Sequence, residues 1–380
     1  MRIKRIFPLC LSAVTGLAVT QVQAIDPAPI NLGPLDLTPT LQVSTGYDDN
    51  FRSSNDKEST WFTSIQPTFV LGAAGLKSEY ELSYSFIHDY YHSFSSEKNT
   101  DHFVDFAAYF DFNSRNRLLL GADWSDTTDV TDQAEPDDKY RSRGLSALYS
   151  FGVETAPINL DFGYDYGRTR SKNDANLDKE LNSQLYTSTL YYRISPRTRL
   201  LGEIRHSKQD YVSANFKDST NRTYLAGAQW EATAFTTGSV RVGRTKKDFK
   251  DPTREDASRN MWEVGVVWEP LTYSRFNLLT RSSIEEGDDG AASIKQDLYR
   301  VGWNHQWNGF ISTDANYTFT EKKYDFGRND KNHLSSVGIN YAIDRWVDLG
   351  LSYQYTDNKS TLADESYTRN MIMLTLTVGL

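Results

Sequence analysis

The sequence predicts an all-β fold, a transmembrane antiparallel up-and-down β-barrel of about 18 strands, and three observations carry that prediction. Almost every segment after residue 37 alternates apolar and polar residues with period two. The connections alternate between short turns and longer polar loops. The chain opens on an export signal, and its aromatic residues gather toward strand ends.

The opening "MRIKRIFPLCLSAVTGLAVTQVQA" joins basic Arg2, Lys4 and Arg5 to an apolar run and to small residues before a break after Ala24. Residues 1–24 are therefore expected to be a cleaved signal peptide, because the apolar run is shorter than the roughly 20 residues of a spanning helix. The expected organisation is that signal, a short periplasmic segment over 25–37, and one barrel domain over 38–380. Without residues 1–24 the formal charge moves from −9 to −12 and the only cysteine, Cys10, is lost. An exported chain without thiols points to a large hydrogen-bonded sheet rather than a disulfide-stapled domain, and its acidity argues against nucleic acid as a partner.

The alternation is clearest at the two ends. In "TPTLQVSTGYDDNF", Leu41, Val43 and Tyr47 share one face while Gln42, Ser44 and Asp48 share the other. In "WVDLGLSYQYT", Val347, Leu349, Leu351, Tyr353 and Tyr355 oppose Asp348, Gly350, Ser352 and Gln354. "NMIMLTLTVGL" does the same with Ile372, Leu374, Leu376 and Val378. The first strand is expected to pair with the last and close the barrel, which leaves no unpaired edge in hydrocarbon. A soluble sandwich would carry long, strongly hydrated side chains on its polar faces. Here those positions hold Gly, Ser, Thr and Asn among acids and arginines, as in a crowded polar lumen. Tyr 23, Phe 19 and Trp 8 supply rings for the membrane interfaces.

At "INLGPLDLTPTLQVSTGYDDNF", with Gly46, Tyr47, Asp48, Asp49 and Asn50 after the first strand, the chain resembles the β-barrel porin type 2 family of Gram-negative outer-membrane proteins. The resemblance implies a barrel in the cell outer membrane. Members are associated with exopolysaccharide or capsule gene clusters, so it also implies a part in polysaccharide export, with periplasmic export proteins as partners. A general or solute-specific porin and an outer-membrane lipid hydrolase are the alternatives. The chain ends in Leu380 where many such barrels end in an aromatic residue.

If the apolar row faces lipid, the opposite row lines the lumen. Its charged members are Asp48, Glu79, Glu81, Asp105, Asp123, Asp161, Asp165, Glu203, Glu263, Asp314 and Asp348. With them stand Arg199, Arg205, Arg241, Arg275, Arg281, Arg300 and Arg369. Rings of charge set the potential of a pore, and the excess of acid would favour cations or neutral sugars. The alternative is a self-satisfied ion-pair network that fills the barrel.

Other groupings are weaker. His88, His92 and His102 lie around one loop without a zinc spacing. His206 and Ser207 are adjacent on a strand and so point to opposite faces, which argues against a nucleophile–base pair. The acidic stretches at 48–50, 132–138 and 285–290 lack the spaced ligands of a calcium loop, and solvation is their expected role, with bridging to lipopolysaccharide through divalent ions as the alternative. No cofactor is implied and no enzyme is expected. The expected partners are outer-membrane lipid, lipopolysaccharide and a hydrophilic solute or polymer as cargo. No loop is long enough to fold into the barrel as the constriction of a general porin.

Overall fold

The computed structural model describes residues 27–129, 138–153, 155–233, 235–288 and 290–379. The signal peptide and most of the acidic stretch 132–138 lie outside the described residues. A two-residue strand β1 (Ile30–Asn31) pairs with the start of β2 (Leu35–Asp48). The wall continues through β3 (Thr60–Ala74), β4 (Ser78–Tyr91), β5 (Asn99–Asn113), β6 (Asn116–Asp129), β7 (Asp138–Phe151) and β8 (Ile158–Ser171). Then come β9 (Leu181–Ser195), β10 (Thr198–Tyr211), β11 (Ser219–Thr233), β12 (Thr236–Phe249), β13 (Ala257–Leu271) and β14 (Ser274–Glu286). The last five are β15 (Ser293–Gln306), β16 (Ile311–Tyr324), β17 (Asn329–Asp344), β18 (Val347–Ser360) and β19 (Tyr367–Gly379).

Each of β2 to β19 pairs antiparallel with its neighbours, and β19 closes on β2 from Met371↔Asp48 to Gly379↔Thr40. The result is a closed barrel of 18 strands, with β1 as a short addition. A wall strand of 14 residues, such as β2, is about 46 Å long at roughly 3.3 Å per residue. Tilted by about 40°, it still covers a membrane band of about 25 Å and projects beyond it.

The register assigns the two faces. Leu41, Trp61, Ile65, Tyr84, Leu145, Tyr186, Ile204, Tyr224, Val242, Leu351 and Leu374 are large, apolar and exposed, and all belong to one row. Apolar side chains left this open on one continuous belt are covered by lipid. The other row holds buried Ser44, Asp48, Glu203, Asp314, Asn340, Asp348 and Thr375. This row is the concave one, because Arg205 on β10 reaches Glu263 on β13 at 2.7 and 3.0 Å. Three strand spacings measure about 14 Å along the wall, so such contacts form only across the inside of the curve.

Glycine shapes that inner surface. A Cβ at Gly144 would collide with the Asp123 carboxylate, and one at Gly338 would lie 2.6 Å from Oδ1 of Asp314. In both cases the missing side chain lets a neighbouring strand's carboxylate lie flat along the wall instead of projecting into the lumen.

One ladder is incomplete. Pairing of β13 with β14 runs from Leu271↔Ser274 only up to Glu263↔Arg281, whereas β14 and β15 stay paired up to Glu286↔Ser293. The upper β14–β15 hairpin therefore peels away from β13. At the fork, Nε1 of Trp262 donates to Oγ1 of Thr280 at 3.0 Å. Above it, the Arg259 guanidinium donates to the Ser283 carbonyl at 3.3 Å and pairs with Asp297. These contacts take up donors and acceptors that the missing ladder bonds leave open.

Candidate channel lining and mouth

The ladder places all eighteen charged candidates named from the sequence in the inner row. Asp48, Glu79, Glu81, Asp105, Asp123, Asp161 and Asp165 stand on β2 to β8, and Asp314, Asp348 and Arg369 on β16 to β19. Arg199, Glu203, Arg205, Arg241, Glu263, Arg275, Arg281 and Arg300 occupy β10 to β15. The two groups differ in what they touch.

On the β10–β15 wall most of the charges are paired with one another. Arg205 contacts Glu203 at 2.5 Å and holds Glu263 through both nitrogens of its fork. Arg241 completes the group at 3.6 Å from each of the same two glutamates, and Thr189 donates to Glu203 at 3.1 Å. Arg275 pairs with Glu269 at 2.7 Å and Arg281 with Glu285 at 3.1 Å. Arg300 donates to Thr318, and Arg199 lies over the Tyr191 ring at 4.7 Å. At the seam of the barrel Arg369 is likewise committed to Asp48, at 2.8 Å through Nε, and to Ser53.

On the β4–β8 wall Glu79, Glu81, Asp105, Asp123, Asp161 and Asp165 meet no basic side chain at ion-pair distance among the described residues. Asp105 and Asp123 even stand directly opposite each other on β5 and β6. The nearest help is a long contact from Ser83 to Asp105 at 3.4 Å. Like charges in that relation repel, so their field is available to a mobile cation.

At the long-loop rim the tip of the β14–β15 hairpin turns inward. Glu286 belongs by register to the outer row, yet its carboxylate accepts from the Tyr211 hydroxyl and from Nζ of Lys247, both at 2.9 Å. Those two groups belong to the inner rows of β10 and β12. Asp288, in the loop after β14, reaches Lys179 at 3.1 Å, and Lys179 also holds Asp138 at 2.9 Å. The tip of the β14–β15 hairpin thus leans across the interior toward β7, β9 and β10. Ala291 is fully buried and packs with Ile294 and Tyr324, and Ala292 N donates to Asp325 at 3.0 Å.

This corrects two expectations. A short hairpin tip occupies the mouth, because freedom from β13 rather than loop length lets it bend. The acidic stretch from residue 285 is more than a solvated loop, since Glu285, Glu286 and Asp288 are each ion-paired while Asp288 stays half exposed. Burial alone would lower the pKa of the Lys179 ammonium, but the Asp138 hydrogen bond and the Asp288 charge outweigh it and push the value upward.

The other groupings are dispersed. His88, His92 and His102 bond Thr100, Thr63 and Tyr84 on the outer face, and no group of three metal-ligating side chains occurs among the described residues. The His206 ring lies against Tyr186 in the outer row while Ser207 belongs to the inner row, so the two form no catalytic pair. Asp89 was missed on the acidic wall, although it continues the phase of Glu79 and Glu81. No short sequence signal marks Lys179, Lys247 or Glu286 as partners.

The chain is similar to solved outer-membrane barrels. The outer membrane protein OpdK from Pseudomonas aeruginosa matches with a TM-score of 0.50 at 13% identity, covering 91% of this chain and 99% of that one. OccK5 (OpdH) from Pseudomonas aeruginosa gives 0.49 at 10% over 90% and 98%. OccAB4 from Acinetobacter baumannii gives 0.48 at 10% over 90% and 98%. No curated protein matches the sequence. The family model described as "Putative beta-barrel porin 2" matches residues 23–380, which is nearly the whole chain. The protein is therefore a porin-like outer-membrane barrel, and it belongs to the beta-barrel porin 2 family.

Proposed function

We propose that this barrel is a cation-preferring channel for small polar solutes, entered past a hinged hairpin tip. The observation that carries the reading is the contrast between six carboxylates of β4–β8 that lack a cation at ion-pair distance among the described residues and Arg205, Arg241, Arg275 and Arg281 of β10–β14, each held by a glutamate. A permeating ion feels the first set fully and the second only as dipoles. Asp105, Asp123 and Asp165 stand near the middle of their strands, so every solute crossing the wall passes them.

Export of an exopolysaccharide is the weaker reading. It rests on the family resemblance alone, while a mouth with an ion-paired tip turned inward suits small solutes better than a continuous polymer. The porin family supports the solute reading in its general form. The test is the reversal potential of single channels in a planar bilayer under a tenfold KCl gradient. A cation-selective potential that collapses in the Asp105→Asn/Asp123→Asn variant is expected. An anion-selective potential, or one indifferent to that substitution, overturns the proposal.

A further inference from the structure

The outer row carries a second charge pattern, at the rim with the longer loops. On β7 and β8, Arg143 stands directly opposite Arg168, and Arg141 directly opposite Arg170. On β11 and β12, Arg222 stands directly opposite Lys246. Side chains in that relation have Cβ atoms about 5 Å apart, where like charges destabilise the sheet. Asp126 relieves Arg141, at 3.0 Å, and Asp248 relieves Arg222, at 3.0 Å. Arg143, Arg168 and Lys208 have no carboxylate within ion-pair distance among the described residues, and all three are exposed.

Their height gives this repulsion a purpose. One outward step below Arg143 and Arg168 lie Leu145 and Tyr166, paired with each other, and the outer row continues downward through apolar side chains. Tyr186, Ile204, Tyr224 and Val242 form the same boundary on β9 to β12, with about half of each surface exposed. The cations therefore sit where the hydrocarbon of the outer leaflet ends and its headgroups begin. On the opposite side of the barrel Lys295 faces Lys323 and Lys331 faces Lys359, but one member of each pair has a carboxylate of its own, Lys323 from Glu321 at 3.2 Å and Lys359 from Asp357 at 3.2 Å, whereas neither Arg143 nor Arg168 has one among the described residues.

We infer that the outward face of β7–β12 is a binding site for a phosphorylated glycolipid of the outer leaflet, lipopolysaccharide. A phosphate between Arg143 and Arg168 converts their repulsion into two charge-assisted pairs. Lys208, two strands further on, takes a second phosphate of the same headgroup, and the acyl chains lie on the apolar row below. A single anion without chains would satisfy the arginines and leave that row to bulk lipid.

The test uses the full mature chain folded in detergent micelles. Bound lipid is counted by native mass spectrometry against diphosphorylated lipid A, its dephosphorylated form and inorganic phosphate. The protein should retain diphosphorylated lipid A at concentrations roughly tenfold below those needed for the dephosphorylated form, the ratio equivalent to about 1.4 kcal/mol. Inorganic phosphate at equal concentration should not displace it. In Arg143→Ser/Arg168→Ser the preference should vanish, while Lys323→Ser/Lys359→Ser on the opposite side should keep it. An unheated sample that migrates faster than a boiled one shows that each variant has folded. Should the double variant fail to fold, Lys208→Gln alone should cut the preference about threefold, about 0.7 kcal/mol. Equal retention of both lipids by the unaltered protein, full displacement by inorganic phosphate, or an unchanged preference in folded Arg143→Ser/Arg168→Ser or Lys208→Gln overturns the inference.

Discussion

Two walls of one barrel use the same residue types for opposite ends. Along β10–β14 Glu203, Glu263, Glu269 and Glu285 are each matched by an arginine, and Arg205 holds two glutamates at once. Along β4–β8 Glu79, Glu81, Asp105, Asp123, Asp161 and Asp165 stand in the same phase with no cation at ion-pair distance among the described residues, and two of them face each other directly. A charge held by its neighbour contributes to the fold and little to a passing solute. A charge left to water costs the fold something and acts on everything that passes. The difference separates structural from functional charge in a row where the sequence shows only alternation.

Breaking the paired wall should give the largest effect. Glu263→Ala leaves the half-buried Arg205 and Arg241 facing each other with only Glu203 between them. Removal of one partner from such a group costs about 3 kcal/mol, because the remaining charges are stranded. Urea unfolding in lipid vesicles should show that loss, whereas Asp165→Asn on the neighbouring wall should stay within about 0.5 kcal/mol. Equal losses in the two variants would erase the distinction between the walls. The same Glu263→Ala channel should also be less cation-selective, since two guanidiniums become free to act on the lumen.

The hinged tip comes next. Glu286→Gln/Asp288→Asn removes its ties to the fully buried Lys247 and the part-exposed Lys179, and stranding the buried ammonium costs about 3 kcal/mol. Channels should then spend more time open, read as a higher open fraction in single-channel records. Because the folded pKa of Lys179 is raised, its stabilising contribution is complete below the ordinary lysine value and is lost only as pH rises through the elevated one. Between pH 7 and 9 the tip should therefore respond little to pH. Raising salt from 0.1 to 1 M, which shortens the screening length from about 10 to about 3 Å, should open it instead. A tip that opens with mild alkali and ignores salt would contradict these ties.

The wall was largely legible in the sequence, and the mouth was not. Period-two alternation assigns Leu41 and Asp48 to opposite faces whatever the rest of the chain does, because the pleat is a local property. The eighteen inner charges follow from the same rule. Nothing local says that Glu263 will meet Arg205 across three strands, since that depends on the curvature of the closed sheet. Nothing local says that β14 will leave β13 above Glu263, so Glu286, outward by phase, read as a loop acid. The acidic stretch 48–50 falls between these cases. Its place at a strand end is visible in the sequence, and its bond to Arg369 required the closure of β2 on β19.

The free wall can be altered without harm to the fold, which is the sharper side of the comparison. Asp105→Asn or Asp123→Asn removes a directly opposed like-charge pair, so each should stabilise the barrel by about 0.2 to 1 kcal/mol while lowering cation selectivity. A gain in stability with a loss of selectivity is the signature of a charge kept for function. If either variant loses stability instead, Asp105 and Asp123 share a structural proton or cation, and the two walls are alike after all.

The smallest change tests how the free wall keeps its acids out of the way. A methyl group at Gly144 would occupy the space of the Asp123 carboxylate, whose far end is flexible and can turn away. In an extended strand, alanine also reduces the freedom of the unfolded chain relative to glycine, by about 0.4 to 1 kcal/mol. These effects oppose each other, so Gly144→Ala should leave stability nearly unchanged. The carboxylate, lifted from the wall, should project into the lumen, lowering conductance to bulky organic cations while strengthening selectivity among small ones. Gly144→Ala/Asp123→Ser should restore conductance, because the shorter hydroxyl fits beside the added methyl. If Gly144→Ala lowers conductance and the serine variant fails to restore it, the methyl group acts on the strand itself, and the glycine serves the ladder rather than the channel.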